Sequence, residues 1–376
     1  MDAPDLWSRR SLFSARGLSA SAGGFFSLLL ADEPTGRSEP TRGYWTIARR
    51  AMACEFSILI PPEYPEAWSA GESALTVIDE MEDLLTVYRD DSPTSYLNQN
   101  AHARPVRVDE RLYRLLKRSA ELSEQTDGAF DVTAGALIRA WGFLKGPRRV
   151  PTEVERLDAL ARTGIRHVEF DDAQRSVRFR VPGLEINFGS IGKGYAIDRA
   201  VARVREQYGI DCLLMQGGLS SLYAIGSPSD GESGWLVGLQ NPFDLTRRVA
   251  TIRLRNRAMA TSGTANQYFV HAGRRYGHVL DPRRGEPADE LGSVTVLAPD
   301  AATADALSTA LFVSGLDKTA AFCQNHPEVA ALVVLKPRAG PHSSRRPAVA
   351  TFNLPREDVN LHPAGRSSAR VLHRQA

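Results

Sequence analysis

An α+β fold, a mixed sheet-and-helix architecture rather than a doubly wound parallel sheet, is predicted by three observations. The chain has 376 residues, of which 43% are hydrophobic and 24% charged, enough for a large core. Two long stretches, 68–88 and 109–126, carry apolar residues at helical spacing. Strand-like runs then follow in series without regular β-α alternation, which argues against a parallel sheet built from crossover units.

The first 40 residues differ from the rest. Arg9, Arg10 and Arg16 precede a weakly apolar run from Gly17 to Ala31. That run is too short and too rich in glycine to span a bilayer. It reads as a twin-arginine-like leader or as a disordered basic arm, so export to the periplasm or cell envelope and a cytoplasmic location both stand as expectations. Helices follow at "WSAGESALTVIDEMEDLLTVY" and "DERLYRLLKRSAELSEQT". In "TDGAFDVTAGALIRAWGF", Gly128 and Asp131 bracket a turn, and Phe130 and Trp141 either face a planar ligand or pack in the core. "RHVEFDD" and "SVRFRVP" read as strands, and so does "LEINF" at 184–188.

After "LEINF" comes "GSIGKG", then a helix from Ala196 with Ile197, Ala200, Val201 and Val204 on one face. The loop is not a Walker motif, because Asn187 and Gly194 occupy the positions that need glycine and a hydroxyl. It is not a dinucleotide fingerprint either, since Ile197 stands where a small residue is required. Two readings remain: an anion site at a helix start, or a tight turn whose Lys193 lies in solvent. Gly217 and Gly218 make a turn or admit a ligand to the backbone. The runs "WLVGLQ", "VATIRLR" and "SVTVLAP" are strands. His278 and Asp281 flank a strand end in "YGHVLDPRRGEP", where the imidazole either moves protons or is structural. Finally, Asp305 and Thr309 lie four apart on a helix and share a face. A carboxylate and a hydroxyl so placed suit Mg²⁺, and equally a capped helix start. Residues 338–376 are rich in Pro, Arg and Ser and read as a tail, with one ordered-looking piece at "VATFNL".

The balance of charge narrows function. A net charge of +2 gives no electrostatic case for nucleic acid. Cys54, Cys212 and Cys323 are too few and scattered for a disulfide framework or a zinc site, so any metal must take oxygen ligands.

Eight motifs, "RAMACEF", "TSYLNQN", "GAFDVT", "NFGSIGKGYAIDRAV", "QGGLSS", "ATSGTANQYF", "GHVLDPRRGEP" and "TADALSTALFV", occur in an order and at a spacing that resemble those of the ApbE family, the FAD:protein FMN transferases. The resemblance runs from about Tyr44 to Leu335, within a single domain at 44–337. It implies an ApbE-like, T-fold-related architecture with FAD in a cleft. By resemblance, Met52, Tyr88, the turn of Ala129, Phe130 and Asp131, Asn187, Lys193 and Val279 contact FAD. Ser190, through its main-chain oxygen, joins Asp305 and Thr309 around Mg²⁺, and His278 carries the proton. The implied activity is transfer of FMN to a threonine hydroxyl of an acceptor protein with release of AMP. FAD hydrolysis to FMN and AMP, and FAD binding without turnover, are the alternatives. Membrane association would arise only through the acceptor or the leader. Two segments depart from the family pattern. Asn187 stands where many members have aspartate and supplies no charge or base, and "ATSGTANQYF" differs from the usual form.

Overall fold

The computed structural model describes residues 26–28, 43–228, 233–264, 267–337 and 347–362. At its centre is an eight-stranded sheet: β1 (Trp45–Ala51), β2 (Cys54–Ile60), β3 (Leu213–Gly217), β4 (Ser221–Ile225), β5 (Arg257–Gly263), β6 (Leu291–Ala298), β7 (Ala330–Leu335) and β8 (Val349–Phe352). Its spatial order is the chain order, and every neighbouring pair is antiparallel. Most other elements are inserted between consecutive strands. The longest insertion, between β2 and β3, contains helices α1 (Ala67–Leu85), α2 (Pro93–Asn100), α3 (Glu110–Gln125), α4 (Gly135–Ala140), α5 (Glu153–Ala161) and α6 (Gly192–Tyr208). Helices α7 (Ala301–Ser314) and α8 (Leu316–Asn325) lie between β6 and β7.

Antiparallel sheets often leave one face to water and then alternate apolar with polar residues. Here both faces are covered, which explains the nearly continuous apolar runs. Phe56, Ile58, Leu213, Met215, Ala258, Val294 and Val296 point into the core shared with α1, α6 and α7. Their neighbours Leu59, Leu214, Met259, Leu297 and Leu332 point the other way, against a second sheet formed by Phe26–Leu28, Trp235–Asn241, Asp244–Leu254 and Val359–Leu361. The period of two thus sorts one strand's side chains into two cores.

The order of helices and strands agrees with the α+β expectation. Four segments differ. "LEINF" is not a ladder strand: its backbone groups are taken by Asn98, by Val132 and by Gly135, so it runs as an extended strap. The helix expected from Ala196 begins four residues earlier, at Gly192. Inside the stretch read as a tail, the ordered-looking "VATFNL" holds the edge strand Val349–Phe352, whereas Val359–Leu361, not expected, is an edge strand of the second sheet. Within the stretch read as a leader, Phe26–Leu28 pairs with Val237–Leu239; Arg9, Arg10 and Arg16 lie outside the described residues. Among the described residues no helix is long and apolar enough to cross a membrane.

Candidate active site

Two helix starts meet at the sheet. Gly194, in the first turn of α6, lies so close to the first turn of α7 that a Cβ there would stand 2.0 Å from the Ala301 carbonyl oxygen. Only glycine permits that approach. Asp305, one turn into α7, is buried and joins the two helices: its Oδ2 accepts from the Gly194 N–H at 3.1 Å, and Lys193 Nζ lies 3.5 Å from the same oxygen. Its Oδ1 accepts from Ser221 Oγ, at the start of β4, at 3.0 Å.

Thr309 lies one turn further. Its Oγ1 is 3.0 Å from Ser262 Oγ on β5, and that hydroxyl is also 2.9 Å from Ser308 Oγ. The Gly194 N–H is one of the first-turn donors that a helix's own backbone leaves unpaired, and Asp305 satisfies it. Ser190 stands just ahead of that turn, two residues before the helix begins. The three donors expected from the sequence, the Ser190 carbonyl, the Asp305 carboxylate and the Thr309 hydroxyl, are all hard oxygen, a chemistry that suits Mg²⁺ better than a softer ion. Among the described residues no cluster of three or more His, Cys, Asp or Glu offers a competing metal site.

Two tight turns pack beside the start of α6. Met52 and Ala53 link β1 to β2 with both residues at positive φ, 49° and 59°, as a two-residue primed hairpin turn requires. Neither is glycine, so the turn carries strain of about 1–3 kcal/mol per residue. Met52 Cε lies 3.4 Å from where a Cβ on Gly192 would stand. Gly218, at φ +60°, packs beside Cys54 and the Lys193 stem. Burial pushes the Cys54 thiol up to about 11, against the pull of nearby Lys193, so it remains a neutral thiol.

His278 is half-buried at the base of the hairpin formed by Tyr268–His271 and Arg274–Gly277. Its Nδ1 lies 3.1 Å from the Gln267 carbonyl oxygen, which can only accept, so Nδ1 carries the hydrogen and Nε2 keeps its lone pair. Burial, reinforced by Lys193 and Arg148, holds the imidazole below its ordinary pKa.

The other expected residues are distributed around this centre. Asn187 and Val87, the neighbour of Tyr88, line a cavity of about 250 Å³. Tyr88 itself is exposed. Asn187 Oδ1 accepts from the Gly189 N–H at 2.8 Å, so its amide braces the loop before α6. Ala129, Phe130 and Val279 are buried, as is Trp141, whose Nε1 donates to the Gly285 carbonyl. The rings of Phe130 and Trp141 pack in the core rather than facing outward. Asp131 is also buried, accepting from Thr133 and Ile165, and the Ala129 and Phe130 N–H groups donate to Thr126, so this turn is bound inward on itself. Asp281 is held by Arg283 through two bonds of 2.8 and 2.9 Å. Ser221, Ser262 and Asn98 carry weight that sequence reasoning missed, because each acts on a partner far away in the chain.

A model of the ApbE family matches residues 52–333. A FAD:protein FMN transferase of Klebsiella pneumoniae (strain 342) is 33% identical over 264 residues, covering 70% of this chain and 81% of that protein. The crystal structure of the ApbE protein from Thermotoga maritima superposes with a TM-score of 0.72 at 33% identity, covering 78% of this chain and 94% of that one. The flavin transferase ApbE from Vibrio cholerae gives a TM-score of 0.70 at 27% identity, over 82% and 96% of the two chains.

Proposed function

The chain belongs to the ApbE family, and on that premise we propose that it is an enzyme that transfers FMN from FAD to a threonine hydroxyl of an acceptor protein, releasing AMP. The observation that carries the reading is the Lys193–Asp305 contact where the starts of α6 and α7 meet. A lysine in the first turn of a helix, beside an oxygen donor set, suits a diphosphate.

Ser190, Asp305 and Thr309 would hold Mg²⁺, which neutralises charge on the diphosphate oxygens when bound. Lys193 binds the same phosphate region. The threonine oxygen attacks the phosphorus of the FMN half, a new P–O bond forms, and the P–O bond to AMP breaks. His278 Nε2 takes the threonine proton, and Nδ1, anchored on Gln267, fixes the ring for that transfer.

The test is incubation of the full chain with FAD, Mg²⁺ and an acceptor domain, followed by denaturing electrophoresis. Flavin fluorescence on the acceptor band is the expected result. Free FMN and AMP with an unlabelled acceptor would make the enzyme a hydrolase, and FAD retained intact would remove catalysis.

A further inference from the structure

We propose that Asp198 is a positioning residue: by holding the start of α7 against α6, it sets where Asp305 and Thr309 stand. Asp198 lies on α6, one turn beyond Gly194. Its Oδ1 accepts from the Ala301 N–H at 2.7 Å and its Oδ2 from the Ala302 N–H at 2.8 Å. These are the first two N–H groups of α7, which the helix's own backbone cannot satisfy. The third, on Thr303, goes to Asp300, the residue that caps α7.

The division of labour is informative. Asp300 caps α7 from within its own segment, so it stabilises the helix without fixing it to anything else. Asp198 reaches across from α6. With the Gly194 N–H to Asp305 bond, it gives a two-point attachment between the helix that bears Lys193 and the helix that bears Asp305 and Thr309. Burial and the nearby Asp300 push its pKa up, and the two N–H bonds from the α7 start pull it down. Burying a carboxylate there is unfavourable, and the α7 start offsets part of that.

The proposal rests on the reading of Asp305 and Thr309 as Mg²⁺ ligands. Its test compares the full-length chain with Asp198→Asn and Asp300→Ala. Three quantities are measured on each: thermal stability, Mn²⁺ binding by electron paramagnetic resonance, and the Mg²⁺ concentration for half-maximal FAD turnover. Asn keeps the size of Asp198 but turns one acceptor into a donor facing an N–H. Asp198→Asn should weaken metal binding about 10- to 100-fold, the usual effect of losing an outer partner of a metal site. Asp300→Ala should lower stability comparably and leave metal binding near that of the parent. If both variants shift metal binding equally, or neither does, Asp198 is only a helix cap and the proposal fails. If the parent chain itself binds no Mn²⁺ and shows no Mg²⁺ dependence, it is the metal reading that fails.

Discussion

At the scale of single residues, the site depends on which groups keep a free valence. His278 does: Nδ1 is committed to Gln267, and burial keeps Nε2 unprotonated at neutral pH. His278→Ala should therefore lower single-turnover transfer by about 10² to 10⁴ while FAD affinity, followed by flavin fluorescence, changes far less. Weak binding with an intact rate would take His278 out of the mechanism. The pH dependence has a definite sign. Because the folded pKa lies below the ordinary 6.5, the unfolded chain binds a proton that the folded chain does not. Stability is lost as pH falls from about 6.5 toward the folded value, and the transfer rate falls through that same folded value. A pH series of denaturant midpoints and of single-turnover rates checks both. Asp281 is no substitute base, since Arg283 occupies both of its oxygens. Asp305 is the charged oxygen donor of the proposed metal set. Asp305→Asn keeps its volume and should reduce Mg²⁺-dependent turnover by more than the roughly 10- to 100-fold typical of outer partners. A Mg²⁺ titration of turnover checks this, and a profile like that of the parent would refute the assignment.

At the scale of elements, the long periodic segments are legible. The helices expected at 68–88 and 109–126 are Ala67–Leu85 and Glu110–Gln125, and "WLVGLQ" lies in Trp235–Asn241. Apolar period alone locates such segments. "LEINF" has the composition of a strand, yet Asn98 takes both its Ile186 backbone groups, and no local pattern announces a side chain acting from 88 residues away. The start of α6 falls earlier than expected for a similar reason: glycines read as loop residues, whereas Gly194 is in a helix because α7 leaves no room for a Cβ. The residue types of the site are visible in the sequence, but the role of Asp198 depends on two helices meeting. Gly194→Ala should separate them. Overpacking of this kind costs about 1–3 kcal/mol. Denaturant unfolding should report that loss, together with weakened metal binding. An unchanged midpoint would show that the two helices can part without cost.

At the scale of the whole molecule, the central sheet keeps two jobs apart. Its helix-covered face carries Lys193, Asp305 and Thr309, whereas its other face packs on the second sheet. Trp235 belongs to that second layer: it is fully buried, its Nε1 donates to the Ile225 carbonyl at 3.0 Å, and its ring lies 5.5 Å from that of Tyr44. Trp235→Ala removes a large side chain from a packed layer, which costs about 3–5 kcal/mol. The denaturant midpoint should fall accordingly. Below the new midpoint, however, FAD affinity and the Mg²⁺ dependence of turnover should match the parent, because the altered side chain lies across the sheet from the site. Trp235→Phe should be milder, losing mainly one hydrogen bond, about 1 kcal/mol. If Trp235→Ala shifted the Mg²⁺ dependence as strongly as Asp305→Asn, the sheet would be transmitting the change between its faces, and the separation of stability from chemistry would not hold.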